Sequence, residues 1–504
     1  MKQAIIAGAL ALVLGLALYS LQRLGESGES DGETLMVFCA AGLKRPVSEI
    51  ARRYQEEFGV EVQLQYGGTS TLLSQVQIAK RGDLFIAADD SAVERAREKG
   101  AVREQLDLVV QYPVIAVASG NPKSVGSIDD LMREDVRVAV GNPDAASIGA
   151  ATRRGLGGRW DSFAERAAVM KPTVTEIAQD LQVGAVDAAV IWNSTAPQFD
   201  GLEAVRVPEF DAELDNVSVS VLEASTQPAQ ALKFARYLSA PGKGGAVFEA
   251  MKFETSDGDA WAEKPELVFY SGGVNRPAVE GLVKEFAARE GVGVTTVFNG
   301  CGVLCAQMQA MEEFPDAYYA CDICFVPPVA EQFPEITILT QTKIGIAKRP
   351  QLAQNIQTLA DLARPGLKVG ICNQKQSTLG YMTGGLLKST GLEEAVRKNV
   401  VVEVPTADLL INQLRTGALD AAIVYQVNAL LQKDHLEFVE IRHPGANAVQ
   451  PFGVRAGSPR ERLAERMGDY FRSNREAFER AGFIWRGDDP PQKSSDIVIP
   501  DWLK

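Results

Sequence analysis

Histidine is almost missing from this chain, with two in 504 residues. Any metal site would have to be built nearly all from thiolate. Basic charge is also short: 51 Lys and Arg stand against 65 Asp and Glu, for a formal net charge of −14. No segment carries a basic stripe, which argues against a nucleic-acid backbone as partner. No nucleophile–base pair and no phosphate-binding Lys motif stands out, which argues against hydrolase or kinase chemistry. The glycine-rich GLGGRW, Gly155–Trp160, reads as a surface loop. No small-x-small cleavage signature follows the N-terminal apolar run. There is no lipobox either, because Cys39 falls inside the first predicted strand.

What is present fits a globular body, with 46% hydrophobic and 23% charged residues. The length exceeds one ordinary core and predicts two or three domains. Ala4–Leu21 is an unbroken run of 18 apolar or small residues after Lys2. It stands at the border between a signal peptide and a membrane-spanning helix. Residues 1–24 are read as a hydrophobic anchor helix, with a cleaved signal as the alternative; either exports the rest. The polar GESGESDGET, residues 25–34, is then a tether.

The body is written twice. FCAAGLKRPVSEIARRYQEEFGV, from Phe38, returns as FYSGGVNRPAVEGLVKEFAAREGV, from Phe269, with Pro277 standing 231 residues after Pro46. YGGTSTLLSQVQ (from Tyr66) returns as FNGCGVLCAQMQ (from Phe298), 232 residues on. VAVGNPDAASIG and GAVDAAVIW return as VGICNQKQSTLG and GALDAAIVY, at offsets of 231 and 233. DLFIAAD (from Asp83) is matched with DICFVPP (from Asp322) at an offset of 239, which implies a seven-residue insertion in the second copy. Order kept over such a distance marks a domain duplication rather than a short repeat. The breaker-rich TSDGDAWAEKPE, from Thr255, marks the boundary. The predicted units are 35–255 and 266–486, with a linker at 256–265 and a tail at 487–504.

Within each copy, short β-branched runs such as VRVAV and AAVIW alternate with helical spacings such as Val47, Ile50, Tyr54 and Phe58. That predicts an α/β fold with ligand loops at the carboxyl ends of mostly parallel strands. Each copy offers three small-residue loops before a helix: AAGLKRP, YGGTSTL and GNPDAASIG, then SGGVNRP, FNGCGVL and CNQKQSTLG. Such loops let backbone approach a ligand closely. The helix starts behind them aim free N–H groups at it, so several together make an anion site without a cation.

Taken together, VFCAAGLKRPVSEIARRYQEEFGVEVQLQYGGTSTLLSQV, DLFIAAD, VRVAVGNPDAASIGAAT and GAVDAAVIWNSTA resemble the molybdate-binding proteins of ABC importers, within the two-lobed periplasmic binding proteins. The resemblance spans Leu35–Thr255 and, more loosely, Glu266 to about Trp485. It implies two tandem two-lobed α/β domains with mixed, mostly parallel sheets. It implies an extracytoplasmic binding protein, anchored to the inner membrane, that hands molybdate or tungstate to a membrane permease and is not an enzyme. The implied contacts are Gly42, Thr69 with Ser70, Ser147–Ile148, Glu176 and Trp192. In the second copy they are Gly273, Cys301 with Gly302, Thr378–Leu379, Leu409 and Tyr425. Gly42 lacks the hydroxyl usual in the family, and Trp192 offers only a donor. Glu176 is expected to point its carboxylate away from the anion. Another anion or ferric iron is the alternative ligand.

Five of six cysteines lie in the second copy: Cys301, Cys305, Cys321, Cys324 and Cys372. Disulfides, free buried thiols, and a metal or redox centre remain three open readings. Cys301 takes the place of Thr69, and a thiol is a weak donor. The second copy is therefore expected to bind something else, to bind weakly, or to serve as scaffold.

Overall fold

The computed structural model describes residues 34–350 and 355–503. The apolar run Ala4–Leu21 and all but the last residue of the tether lie outside the described residues. Among those described, no helix is long and apolar enough to cross a membrane. The chain divides into two compact units, meeting at Trp261 and Ala262.

The first unit opens with β1 (Thr34–Ala40), α1 (Lys44–Phe58), β2 (Glu61–Gly67), α2 (Thr69–Ala79), β3 (Leu84–Ala87) and α3 (Asp90–Glu98). In α1 the buried residues Pro46, Val47, Ile50, Ala51 and Tyr54 form one stripe, and Gly59 at φ 73° ends the helix. β4 (Val102–Gln111) leads through Tyr112 into β5 (Pro113–Ala118), then β6 (Val138–Gly141), α4 (Ser147–Leu156), β7 (Val169–Lys171), α5 (Val174–Gln182), β8 (Ala188–Trp192) and β9 (Leu202–Val205). β10 (Asp215–Leu222) and β11 (Glu254–Thr255) return to the opening half.

Two sheets result, ordered β11-β4-β10-β3-β1-β2 and β7-β6-β8-β5-β9. Each has its own apolar core, one around Tyr54 and Phe234 and the other around Phe163 and Ile191. These are two lobes. The chain crosses between them at Tyr112, whose N–H donates to Asn193 Oδ1 at 3.1 Å and whose C=O accepts the Asn193 N–H at 2.9 Å.

The second unit repeats the plan with β12 (Glu266–Gly272), α6 (Arg276–Glu290), β13 (Gly293–Asn299), α7 (Cys301–Ala310), β14 (Ala317–Tyr319) and β15 (Glu335–Lys348). β16 (Val369–Cys372), α8 (Thr378–Ser389), β17 (Val400–Val404), α9 (Ala407–Arg415), β18 (Ala421–Tyr425), β19 (Glu437–Glu440) and β20 (Asn447–Val454) follow. Here β15 runs unbroken for 14 residues, pairing with β20 along its first part and with β18 along its second.

The sheets are mixed but not mostly parallel. Parallel pairing is confined to β1 with β2 and β3, β6 with β7 and β8, β12 with β13 and β14, and β16 with β17 and β18. The strands that cross between lobes or return from them, β4, β5, β10, β15 and β20, pair antiparallel. An apolar run in sequence does not show which way its neighbour points.

Register corrects a second expectation. Asp83 accepts the Met36 N–H at 2.9 Å, and Asp316 accepts the Val268 N–H at 2.8 Å. Asp89 and Asp322 each cap the turn that follows. DLFIAAD therefore answers to DAYYACD, from Asp316, and the seven-residue insertion does not exist. Cys321 stands where the first unit has Ala88.

Candidate functional site

Between the lobes of the first unit lies a small cavity lined by residues from four loops: Ala40–Leu43, Gly67–Thr69, Ala146–Ile148 and Thr173–Val174, with Ala88, Gln111 and Trp192 completing the wall. It leaves about 20 Å³ for ligand centres. One water needs about 10–15 Å³ of such space, so the free room matches something close to a water in size. No Asp, Glu, His, Tyr, Lys or Arg lines it.

The chemistry of the wall comes from helix starts. In α4 the first N–H to find a main-chain acceptor is that of Gly149, on Ala146 O, which leaves those of Ser147 and Ile148 free. In α2 the first is that of Leu72, on Gly68 O. In α5 the Glu176 N–H goes to the Thr173 hydroxyl at 3.3 Å, which leaves Val174 and Thr175 ahead of it. Free N–H groups with the positive ends of three helix dipoles therefore face one hollow. Thr69 adds a hydroxyl. Its Oγ1 accepts the Ala88 N–H at 3.4 Å, which leaves its proton for another acceptor.

Gly42, Thr69, Ser147, Ile148 and Trp192 meet at this cavity; Ser70 and Glu176 do not line it. Glu176 corrects the expectation of a main-chain contact, because its N–H is spent on the helix cap. Its carboxylate accepts the Thr173 hydroxyl at 3.0 Å. The Ser147 hydroxyl donates to buried Asp89 on the facing lobe, which leaves its N–H as the group free for the hollow. Sequence reasoning missed Gln111, Val174 and Asp89. Gln111 had a signal: it is the polar residue that breaks the apolar run VVQYPVIAV where the chain crosses lobes.

The two lobes are in contact around this hollow. Arg154 on α4 reaches Asp215 at 2.7 Å and Glu213 at 2.8 Å. Thr175 Oγ1 donates to Ala41 O at 3.2 Å. A Cβ added at Gly68 would lie 2.4 Å from Ala145 O and 2.6 Å from Pro172 O, so only glycine permits this approach. Burial raises Asp215 to about 6; Arg154 opposes that rise, and Asp89 adds to it.

The equivalent place in the second unit keeps the frame and changes the chemistry. A Cβ at Gly300 would lie 2.2 Å from Gln376 O and 2.8 Å from Pro405 O, repeating the Gly68 approach. Thr378 and Leu379 begin α8, Tyr425 ends β18, and all three are buried. Gly273 begins the short turn ahead of α6, and Cys301 begins α7, with Gly302 next, pressed toward Lys375 O. Leu409 lies in the first turn of α9 with its side chain exposed.

All six cysteines are free thiols, all buried. Among the described residues no three His, Cys, Asp or Glu gather as a metal cage. Burial pushes Cys305 and Cys372 up to about 12. Burial acts the same way on Cys301, but contacts with Cys321, Tyr318 and Thr378 hold it below its ordinary value.

A family model described as bacterial extracellular solute-binding protein matches residues 35–253 and again 267–484. A putative binding protein of Haemophilus influenzae is 27% identical over 227 residues, covering 44% of this chain and 89% of that protein. The molybdate-binding protein ModA of Escherichia coli is 27% identical over 222 residues, covering 42% of this chain and 86% of that protein. Among solved structures, the periplasmic molybdate-binding protein of Azotobacter vinelandii is similar at 16% identity and a TM-score of 0.39, over 44% of this chain and all of that one.

Proposed function

The chain belongs to the bacterial extracellular solute-binding proteins, and from that membership we propose that its first unit captures a tetrahedral oxyanion, molybdate or tungstate, for a membrane permease of the ABC class. The observation that carries this reading is a cavity walled by free N–H groups and one available hydroxyl, with no charged side chain in its lining. A bare cation such as ferric iron finds no carboxylate, imidazole or phenol in that wall. A dianion finds donors from several sides. A hydrogen bond to a charged group contributes roughly 1.5–3 kcal/mol net, so four or five supply about 6–15 kcal/mol before ordering costs. Gly42, Thr69, Ser147, Ile148 and Val174 are the residues assigned to the ligand, with Trp192 closing the wall.

Relatives named for molybdate favour that ion over sulfate or phosphate. Calorimetric titration of the full chain with molybdate, tungstate, sulfate, phosphate and ferric salts tests the reading. Saturable binding of molybdate and tungstate, with Trp192 fluorescence changing in step, is the expected result. Silence with both, or tighter uptake of ferric iron, rejects it.

A further inference from the structure

In the second unit, Cys301 and Cys321 occupy the places of Thr69 and Ala88. The contact that joins those residues is preserved in sulfur: the Cys321 N–H donates to Cys301 Sγ at 3.0 Å, as the Ala88 N–H does to Thr69 Oγ1. Both sulfurs converge on Gly272, where an added Cβ would lie 2.2 Å from Cys321 Sγ and 3.2 Å from Cys301 Sγ. Two buried hydroxyls from the other lobe flank the pair: that of Thr378 contacts both sulfurs, and that of Tyr425 has no hydrogen-bond partner. Buried hydroxyls are seldom left unsatisfied, so the Tyr425 hydroxyl beside two thiols marks a place built around something further.

We propose that Cys301 and Cys321 bind one monovalent d10 metal ion of the Cu(I) type, in two-coordinate thiolate ligation, at the position that matches Thr69 and Ala88 in the first unit's cavity wall. Soft sulfur ligands suit Cu(I), zinc and iron–sulfur clusters, and of these Cu(I) accepts two-coordinate ligation. Two sulfurs are too few for tetrahedral zinc, and no third His, Cys, Asp or Glu gathers there among the described residues. On binding, the two thiol protons leave to solvent, two metal–sulfur bonds form, and no electron is transferred. One positive ion and two thiolates leave a net charge of −1. The starts of α7 and α8 that frame the site suit that residual charge, as the helix starts of the first unit suit an oxyanion. The inference goes beyond oxyanion capture and does not depend on it.

The test is anaerobic titration of the reduced full chain with Cu(I) against a chromophoric Cu(I) chelator, with native mass spectrometry for stoichiometry. Wild type and Cys372→Ser are expected to take up one ion at a shared affinity. Cys301→Thr and Cys321→Ala are expected to lose at least 100-fold. Sulfur-edge and copper-edge absorption should report two sulfur ligands. Circular dichroism and thermal unfolding identify a variant that has lost its fold, and Cys301→Thr installs the side chain that the first unit carries at that place. Equal uptake by wild type and both folded variants overturns the proposal. So does failure of the reduced wild type to take up Cu(I), or a Cys301–Cys321 disulfide that resists reduction.

Discussion

Thr69 is where a single atom carries most of the distinction between the two units. Its hydroxyl accepts from Ala88 and keeps a proton free to donate, whereas Cys301 at the same place offers sulfur. Replacing Thr69 by Val keeps the shape and removes the donor. Molybdate affinity measured by calorimetry should fall by about 10–100-fold, with the thermal midpoint of the free protein little changed. Asp215 gives a second expectation. Burial raises its pKa to about 6 against an ordinary value near 4, so the folded unit holds that proton more tightly than the unfolded chain does. Stability contributed by this group is present below about pH 4 and is lost as pH rises through about 6. Denaturant unfolding of wild type against Asp215→Asn across pH 4–7 should show a difference that drifts by on the order of 2–3 kcal/mol. A flat difference would contradict it. Such details were beyond sequence reading. Asp89, which binds Ser147 across the lobes, looks there like any acidic residue closing a strand, and burial is what changes the meaning of Asp215.

Helix starts and strand ends were far more legible. Pro46 and Pro277 early in their helices, Gly59 and Gly291 closing them, and the buried runs VAVG and AAVIW all carry local signals that tertiary packing then uses. What misled was a stretch where two alignments share the same hydrophobic pattern. DICFVPP begins with Asp and continues apolar, as DLFIAAD does; only the strand pairing of Ala317–Tyr319 with β12 chooses between them. Strand direction was likewise invisible, because parallel and antiparallel neighbours bury the same side chains. The glycines before α2 and α7 are the elements' most exacting positions. Gly68→Ala would drive a methyl into the carbonyls of Ala145 and Pro172 and hold the lobes of the first unit apart. Small-angle scattering of that variant with molybdate should show no compaction. Its affinity should drop by more than tenfold while each lobe keeps its own core.

Two units of one design that differ in the atoms lining equivalent places are expected to act as unlike receptors. Saturation at one molybdate per chain is expected, and Thr69→Val should weaken that single event without revealing a second. A stoichiometry of two would show that the thiol-bearing unit also accepts the anion. The contacts between lobes beside the first cavity have a further bearing. Gly68 against two carbonyls, Ser147 on Asp89 and Arg154 on Asp215 hold the two lobes together beside the cavity, so release of the proposed ion is expected to be coupled to the parting of those contacts. Residence time is then a property of the clamshell, not of the cargo. Ions of different affinity should leave at similar rates, and unloading on a useful timescale falls to whatever prises the lobes open.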